Sequence, residues 1–247
     1  MHPIRLLSAA LLLLVLSAPA ASASWRLGVE AWDLEVSGEA EDDSGRVDFA
    51  QLGLSSPTRV QWLLERRAAS GSWWPDLSLR HSGIEARGRQ VVDTSITLGD
   101  LVLVPGESTA ETEADFDDLA LHLSYPLLGR DTRLSAGLAV KRLDGELVIR
   151  EVESDNADRE TVDQTFPLGL LAFYWPLHPR LQLGAEALYV EYRDDALYEL
   201  QVHALVPLTR RLELVAGWQR KDYRLRNRDY RLDAEADGLR LGLSLRF

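Results

Sequence analysis

The sequence contains no cysteine and a single methionine, Met1. Without cysteine no disulfide can form, and metal sites built from paired cysteines are excluded. The absence also rules out a lipid-modified cysteine at the start of an exported chain. An exported protein of this composition must depend on its own core or on a closed network of backbone hydrogen bonds.

Long hydrophobic runs are also scarce. The longest is Leu6 to Leu16, which follows Arg5 and precedes Ala21-Ser22-Ala23. This order of a positive charge, a short apolar stretch and small residues predicts a cleavable signal peptide over 1–23, with 24–247 as one mature domain. Beyond it no run approaches the roughly 18 apolar residues of a membrane-spanning helix, whereas the alternating strands of a β-barrel remain compatible with the sequence.

Positive charge is in short supply: 27 Lys and Arg stand against 39 Asp and Glu, a formal net charge of -12. A chain this acidic is not expected to bind nucleic acid through its phosphates. It has no glycine-rich phosphate loop and no HExxH motif, so the sequence predicts no catalytic residue, metal or cofactor. We therefore expect a protein that is not an enzyme.

What the sequence does contain is period-two alternation. At the C-terminus Leu239, Leu241, Leu243, Leu245 and Phe247 alternate with polar residues and glycine, which predicts a strand with one apolar face. Three turns share a Pro-Leu pair followed by Arg-Leu (126–134, 176–181 and 207–212), and a looser turn lies at 68–75. Proline is tolerated at such strand ends because its missing N–H costs nothing there.

These signals predict an all-β fold, an antiparallel up-and-down transmembrane β-barrel of about ten strands, with eight or twelve as alternatives. Four short turns would lie on one side and longer loops on the other. The segment 88–112 leaves the count open, because an extra hairpin could lie at 95–104. The expected strands are 25–37, 57–67, 75–87, 113–125, 133–144, 164–175, 180–192, 197–207, 211–221 and 237–247.

The signal, the hairpin pattern and the terminal Phe247 resemble small outer-membrane barrels of the OmpA/OmpW kind. The stretches Trp74–His81 and Asp117–Leu127 are similar to an uncharacterised family of Gram-negative outer-membrane barrels of about this length. The resemblance implies a bacterial outer-membrane location with both termini periplasmic. It also implies that the assembly machinery reads Phe247, and it brings no activity or catalytic residues.

The predicted lumen is charged, and two interpretations of it are open. The residues could pair as salt bridges and plug a narrow barrel, or they could line a small channel. Unpaired buried charge is costly and ten strands enclose little space, so we favour the plug and a structural or interaction role in the cell envelope over a porin-like channel. The predicted lumen network is Glu30, Glu65, Arg80, His122, Glu186, His203, Glu213, Arg240 and Arg246.

One pair tests whether the chain could be a lipid-modifying enzyme. His122-x-Ser124 is similar to the His-x-Ser arrangement of an outer-membrane lipid A deacylase. That chemistry must face lipid, whereas the alternation points both side chains into the lumen. We therefore expect a hydrogen-bonded lumen pair.

Outside the barrel, basic residues are concentrated in 220–233. Continuing the alternation upward from Trp218 places one set of arginines on the outward face, just above the apolar band. Arginine suits bidentate contact with phosphate, so we hypothesise that this stripe binds lipopolysaccharide. The stripe consists of Arg220, Arg224, Arg226 and Arg228.

Overall fold

The computed structural model describes residues 24–42, 45–55, 58–69, 72–93, 95–98, 101–128, 132–154, 156–226 and 230–247. The predicted signal peptide and Arg228 lie outside these residues. Among the described residues, no helix is both long enough and apolar enough to cross a membrane.

Ten long strands form one closed antiparallel barrel. They are β1 (Ser24–Asp42), β3 (Arg59–Arg67), β4 (Asp76–Val91), β7 (Thr109–Leu128), β8 (Arg133–Glu151), β9 (Ala157–His178), β10 (Leu181–Tyr192), β11 (Asp195–Pro207), β12 (Leu212–Arg226) and β13 (Tyr230–Arg246). Each pairs with the next along the chain, and β13 closes the barrel by pairing with β1 from Arg26↔Arg246 to Asp42↔Tyr230. The predicted fold class and the count of ten are therefore confirmed.

Three short strands and a 3-10 helix lie in the long connections. β2 (Arg46–Asp48) pairs with the end of β1 and leads into the helix Phe49–Leu52. β5 (Ile96–Leu98) and β6 (Leu101–Leu103) form a separate hairpin, which is the extra hairpin that the sequence left open. Both connections lie at the end of the barrel opposite the termini, called here the loop end.

Side chains alternate along each strand between the lumen and the outside. On β13 the outward Leu239, Leu241, Leu243 and Leu245 are exposed, while Arg240 and Ser244 between them are buried. Such exposed apolar residues are expected where a barrel meets lipid. These exposed apolar residues form an apolar band around the barrel. The band ends well short of the loop end, because the next outward residues on β13 are charged.

Several strands are longer than the sequence predicted. β9 has 22 residues, roughly 70 Å of strand, whereas an apolar band is about 25 Å tall. The alternation weakens above the band, where both faces of a strand carry polar residues, and the predicted ends fell there. The ambiguous stretch 164–175 is resolved, since Phe166, Leu168 and Leu170 are buried and Leu171 is half exposed.

Candidate functional site

The lumen near the termini is crossed by paired charges, called here the lower ionic layer. Arg80 forms a bidentate salt bridge with Glu186, in which Nη2 of Arg80 lies 2.8 Å from Oε2 of Glu186. Arg26 bridges Glu65 at 3.3 Å and Glu213 at 3.4 Å. Arg80 lies on β4 and Glu186 on β10, so this pair crosses the lumen, whereas Arg26 on β1 links the adjacent β3 and the nearby β12 along the wall.

The remaining charges of this layer are also matched. Arg240 lies 3.4 Å from Glu30 and donates to Gln219 at 3.1 Å. Gln61 donates to Glu30 at 3.3 Å. Paired and hydrogen-bonded carboxylates of this kind can stay ionised away from water, because each partner compensates the desolvation of the other.

The structure places all nine predicted lumen residues on inward positions. Arg246 lies at the rim, where it pairs with Glu213 while its side chain stays 47% exposed. The two histidines are inside the network: His122 Nδ1 is 3.5 Å from Glu186, and the His203 ring meets Tyr174 edge-on at 5.9 Å.

The pair His122 and Ser124 faces inward, as the alternation predicted. The expected hydrogen bond between them is wrong, because neither ring nitrogen of His122 has a hydrogen-bond partner among the described residues. Residues two positions apart on a strand are about 7 Å apart, too far for a short serine side chain to reach the ring. His122 is buried, and its ring lies next to Glu186 inside the closed lumen. Lipid outside the barrel cannot reach this ring, so the pair does not provide a lipid-facing catalytic centre.

A second set of buried charges, the upper ionic layer, lies closer to the loop end. Lys141 contacts Glu199 and lies 3.3 Å from Asp118, and Lys221 also contacts Asp118. Both lysines are 1% exposed. Two cations therefore face two carboxylates, a balanced set of charges.

Neighbouring groups complete the upper ionic layer. Ser82 donates to Asp118 at 2.9 Å, and the Tyr223 hydroxyl donates to Glu199 at 3.3 Å. The Lys221 ammonium lies 5.2 Å from the ring of Trp32, which is fully buried. The predicted network contained none of these residues, although Lys141 and Lys221 simply continue the inward positions of β8 and β12.

Above the two ionic layers the lumen becomes apolar. Ile84, Leu143 and Leu225 line a cavity of about 40 Å³, and Phe49 from the 3-10 helix closes it from above. The 45–55 connection therefore folds into the loop end of the barrel and caps it.

The free volume of the lumen is small. The cavity that touches both ionic layers measures about 60 Å³ and is bounded by Arg80, Ser82, Asp118, Lys221 and their neighbours. This is room for a few water molecules, far below the pore of a large porin. In the residues described, the lumen is closed by two ionic layers and an apolar cap.

On the outside, the three described arginines of the predicted stripe face away from the lumen, and each meets acid. Arg220 contacts Asp222 at 3.1 Å and Glu235 at 2.7 Å. Arg224 lies 3.4 Å from Asp233, and Arg226 lies 3.6 Å from Asp194. Each guanidinium group therefore has a carboxylate partner within this chain.

The same face carries a groove of about 690 Å³, called here the outer groove. It crosses the outward sides of β10, β11, β12, β13 and β1. Its outward-facing aromatic residues are Tyr189 and Tyr198, and Arg220 and Arg224 also line it. The groove could not be predicted from the sequence, because it depends on the lateral register of five strands.

Two groups near the loop end have shifted pKa values. Hydrogen bonds from Ser108 and Ser154 lower the pKa of Glu151, and a hydrogen bond from Thr109 lowers the pKa of Glu153. These hydrogen bonds favour the ionised form of both carboxylates at the loop end.

No protein-family model matches the chain, and no curated protein sequence matches it significantly. Solved structures do. The chain is similar to the outer membrane protease OmpT from Escherichia coli at 9% identity and a TM-score of 0.58, over 91% of this chain and 97% of that one. It also matches Ail of Yersinia pestis, at 8% identity and a TM-score of 0.40, over 92% and 99% of the two chains.

The likeness to OmpT corrects one expectation. The prediction that the chain is not an enzyme is wrong, because its architecture is shared with an outer-membrane protease. The physical reason is that a sequence motif contains only residues that are close together in the chain. A barrel brings together side chains from separate strands, and its outer surface and loop end stay accessible when the lumen is closed. At 9% identity the comparison shows the fold alone, and that fold is one found among Gram-negative outer-membrane β-barrels.

Proposed function

We propose that this protein is an outer-membrane barrel that is sealed to solutes and interacts with the cell envelope through its outer face and loop end. The observation that carries the proposal is the pairing of buried charges across the lumen, from β4 to β10 in the lower ionic layer and from β8 to β11 and β12 to β7 in the upper one. A channel would instead need charges that face water. The narrow channel for small solutes is the alternative that the experiments below address.

The proposal includes an orientation. Ser24 and Arg246 lie at the same end of the barrel, because β1 and β13 are antiparallel neighbours. We place this end in the periplasm, after removal of residues 1–23 as a signal peptide. Membership of the OmpA/OmpW-like barrels and reading of Phe247 by the barrel-assembly machinery are parts of the same proposal.

Outer-membrane lipids and lipopolysaccharide are the proposed partners of the outer face. The outward position of Arg220, Arg224 and Arg226 supports contact with lipid headgroups. Their pairing with acidic neighbours limits the attraction for phosphate, because the excess positive charge of the stripe is neutralised locally. Arg228 completes the proposed stripe.

Thiol labelling tests the closed lumen, since the chain has no cysteine of its own. We expect Ser82→Cys, in the buried upper ionic layer, to react at least about a hundredfold more slowly with a small water-soluble maleimide than Thr161→Cys on the exposed outer face of β9. Both should react alike after unfolding. The measurement is the labelling rate of the protein reconstituted in liposomes. Comparable rates in the folded state would refute the sealed barrel and favour the channel.

A further inference from the structure

The outer groove is built from cross-strand neighbours whose register places them in lateral rows. The first row runs Tyr189↔Tyr198, Tyr198↔Asp222, Asp222↔Glu235 and Glu235↔Ser37 across five strands. Directly opposed outward residues lie about 5 Å apart at their Cβ atoms. The two tyrosines are therefore direct cross-strand neighbours at one end of the row, next to carboxylates.

The second row lies one step closer to the loop end. It runs Glu191↔Ala196, Ala196↔Arg224, Arg224↔Asp233 and Asp233↔Glu39. Ala196 leaves a gap between two long side chains, which deepens the groove beside the tyrosines.

Gly38 lies at the far edge of the groove. Its φ is 142°, and a Cβ atom at this position would lie only 2.2 Å from the Asp233 carbonyl oxygen, so only glycine fits there. The close approach of β1 and β13 at this edge depends on that residue.

The charged side chains of the groove form ion pairs with one another. Arg220 pairs with Asp222 and Glu235, and Arg224 pairs with Asp233. The Tyr189 hydroxyl donates a hydrogen bond to Glu191. The groove thus presents oriented donors and acceptors with excess acid, a poor setting for a bare phosphate.

The groove lies directly above the apolar band. One step toward the termini from its arginines and acids, the outward residues are Trp218 and Leu239, which are cross-strand partners. A ligand in the groove is therefore at the depth of lipid headgroups, and it can enter sideways from the surrounding leaflet. Aromatic residues that combine an apolar face with a polar edge favour this depth.

We propose that the outer groove binds the saccharide headgroup of a glycolipid in the surrounding leaflet. Sugar hydroxyls are neutral and both donate and accept hydrogen bonds, which matches fixed carboxylates and guanidinium groups. The apolar face of a sugar ring suits Tyr189 and Tyr198, and 690 Å³ lies in the usual range of ligand sites. The proposal rests on the orientation given above, which puts the groove in the outer leaflet, and it names the sugars as the part of lipopolysaccharide that is recognised.

The test uses protein refolded free of lipid in a zwitterionic detergent without sugar. Three probes are titrated: lipopolysaccharide with its core sugars, lipid A alone, and the released soluble core oligosaccharide. We expect core-bearing lipopolysaccharide to bind most tightly. The double variant Tyr189→Ala/Tyr198→Ala should weaken that binding on the order of tenfold and leave lipid A binding unchanged.

Tyr125→Ala is the matched control, because Tyr125 is an exposed tyrosine near the termini. It should bind all probes as the unmodified protein does, and heat-modifiable gel mobility shows that each variant is folded.

The proposal is overturned if lipid A binds as tightly as core-bearing lipopolysaccharide, if the tyrosine variant changes nothing, or if the soluble oligosaccharide binds equally well. The first outcome, with loss of lipid A binding in Arg220→Gln/Arg224→Gln, would favour phosphate contact by the stripe. Absence of binding to any probe would remove lipopolysaccharide as a partner and leave the sealed lumen, tested by thiol labelling, untouched.

Discussion

Replacing Glu186 with alanine is expected to lower the free energy of unfolding by about 3–5 kcal/mol. The Glu186 carboxylate accepts two hydrogen bonds from the Arg80 guanidinium and a third from Gln201 at 2.8 Å. Without the carboxylate, the Arg80 guanidinium stays inside the barrel with its main partner gone. The measurement is the midpoint and slope of denaturant unfolding of the reconstituted barrel.

Two variants make this result specific to the buried pair. Arg80→Met/Glu186→Met should recover most of the loss, because an apolar pair of similar volume needs no compensating charge. Arg142→Gln removes exposed pairs with Asp144 and Asp163 and should cost about 1 kcal/mol or less. A cost for Glu186→Ala no greater than that of Arg142→Gln would show that the lower ionic layer is hydrated, contrary to our account.

Deleting Phe247 is expected to remove most of the folded protein from the outer-membrane fraction. Phe247 extends the pairing that closes the barrel by two backbone hydrogen bonds with Trp25, of 2.9 and 3.0 Å. Phe247 is 61% exposed, so packing within this chain does not explain why an aromatic side chain stands at this position. We propose that the ring is the part that the assembly machinery reads.

Phe247→Ala separates closure from recognition, because it keeps both backbone hydrogen bonds and loses the ring. We expect this variant to refold normally into liposomes in the absence of other proteins and to insert poorly in cells. Phe247→Tyr, the control, should behave as the unmodified protein in both settings. Normal insertion of Phe247→Ala in cells would contradict the proposed role of the ring.

The sequence predicted the barrel well because alternation is a local signal. Residues 239–247 show apolar and polar faces without reference to any other strand, and the four short turns mark where neighbouring strands meet. The inward positions of Glu30, Glu186 and Arg240 follow from the same parity. Their partners do not, since Arg80 and Glu186 are separated by 106 residues and only closure of the barrel brings them together.

The upper ionic layer also follows the alternation of inward and outward residues, although its residues were not among those predicted. Lys141 follows Ser135 and Ala139 at steps of two residues or multiples of two, so its inward position could have been predicted. The inward position of Lys221 is harder to predict. Its neighbour Arg220 is also basic, so the residue types do not distinguish the inward from the outward face of the strand. The alternation nevertheless assigned Arg220 to the outside correctly.

The cap and the outer groove could not be predicted in this way. The helix Phe49–Leu52 is buried because the loop end of the barrel offers an apolar surface formed by several distant strands. The groove depends on the lateral register of β10 to β13 and β1, and a shift of one residue would turn every side chain of a strand to the other face.

Single-channel recording in planar bilayers tests the central claim of a sealed lumen most directly. We predict that the purified protein, inserted and shown to be folded by its heat-modifiable mobility, produces no discrete conductance steps in concentrated KCl, while a porin preparation in the same bilayers does. Reproducible conductance steps from the folded protein would contradict the closed lumen and establish the channel in its place.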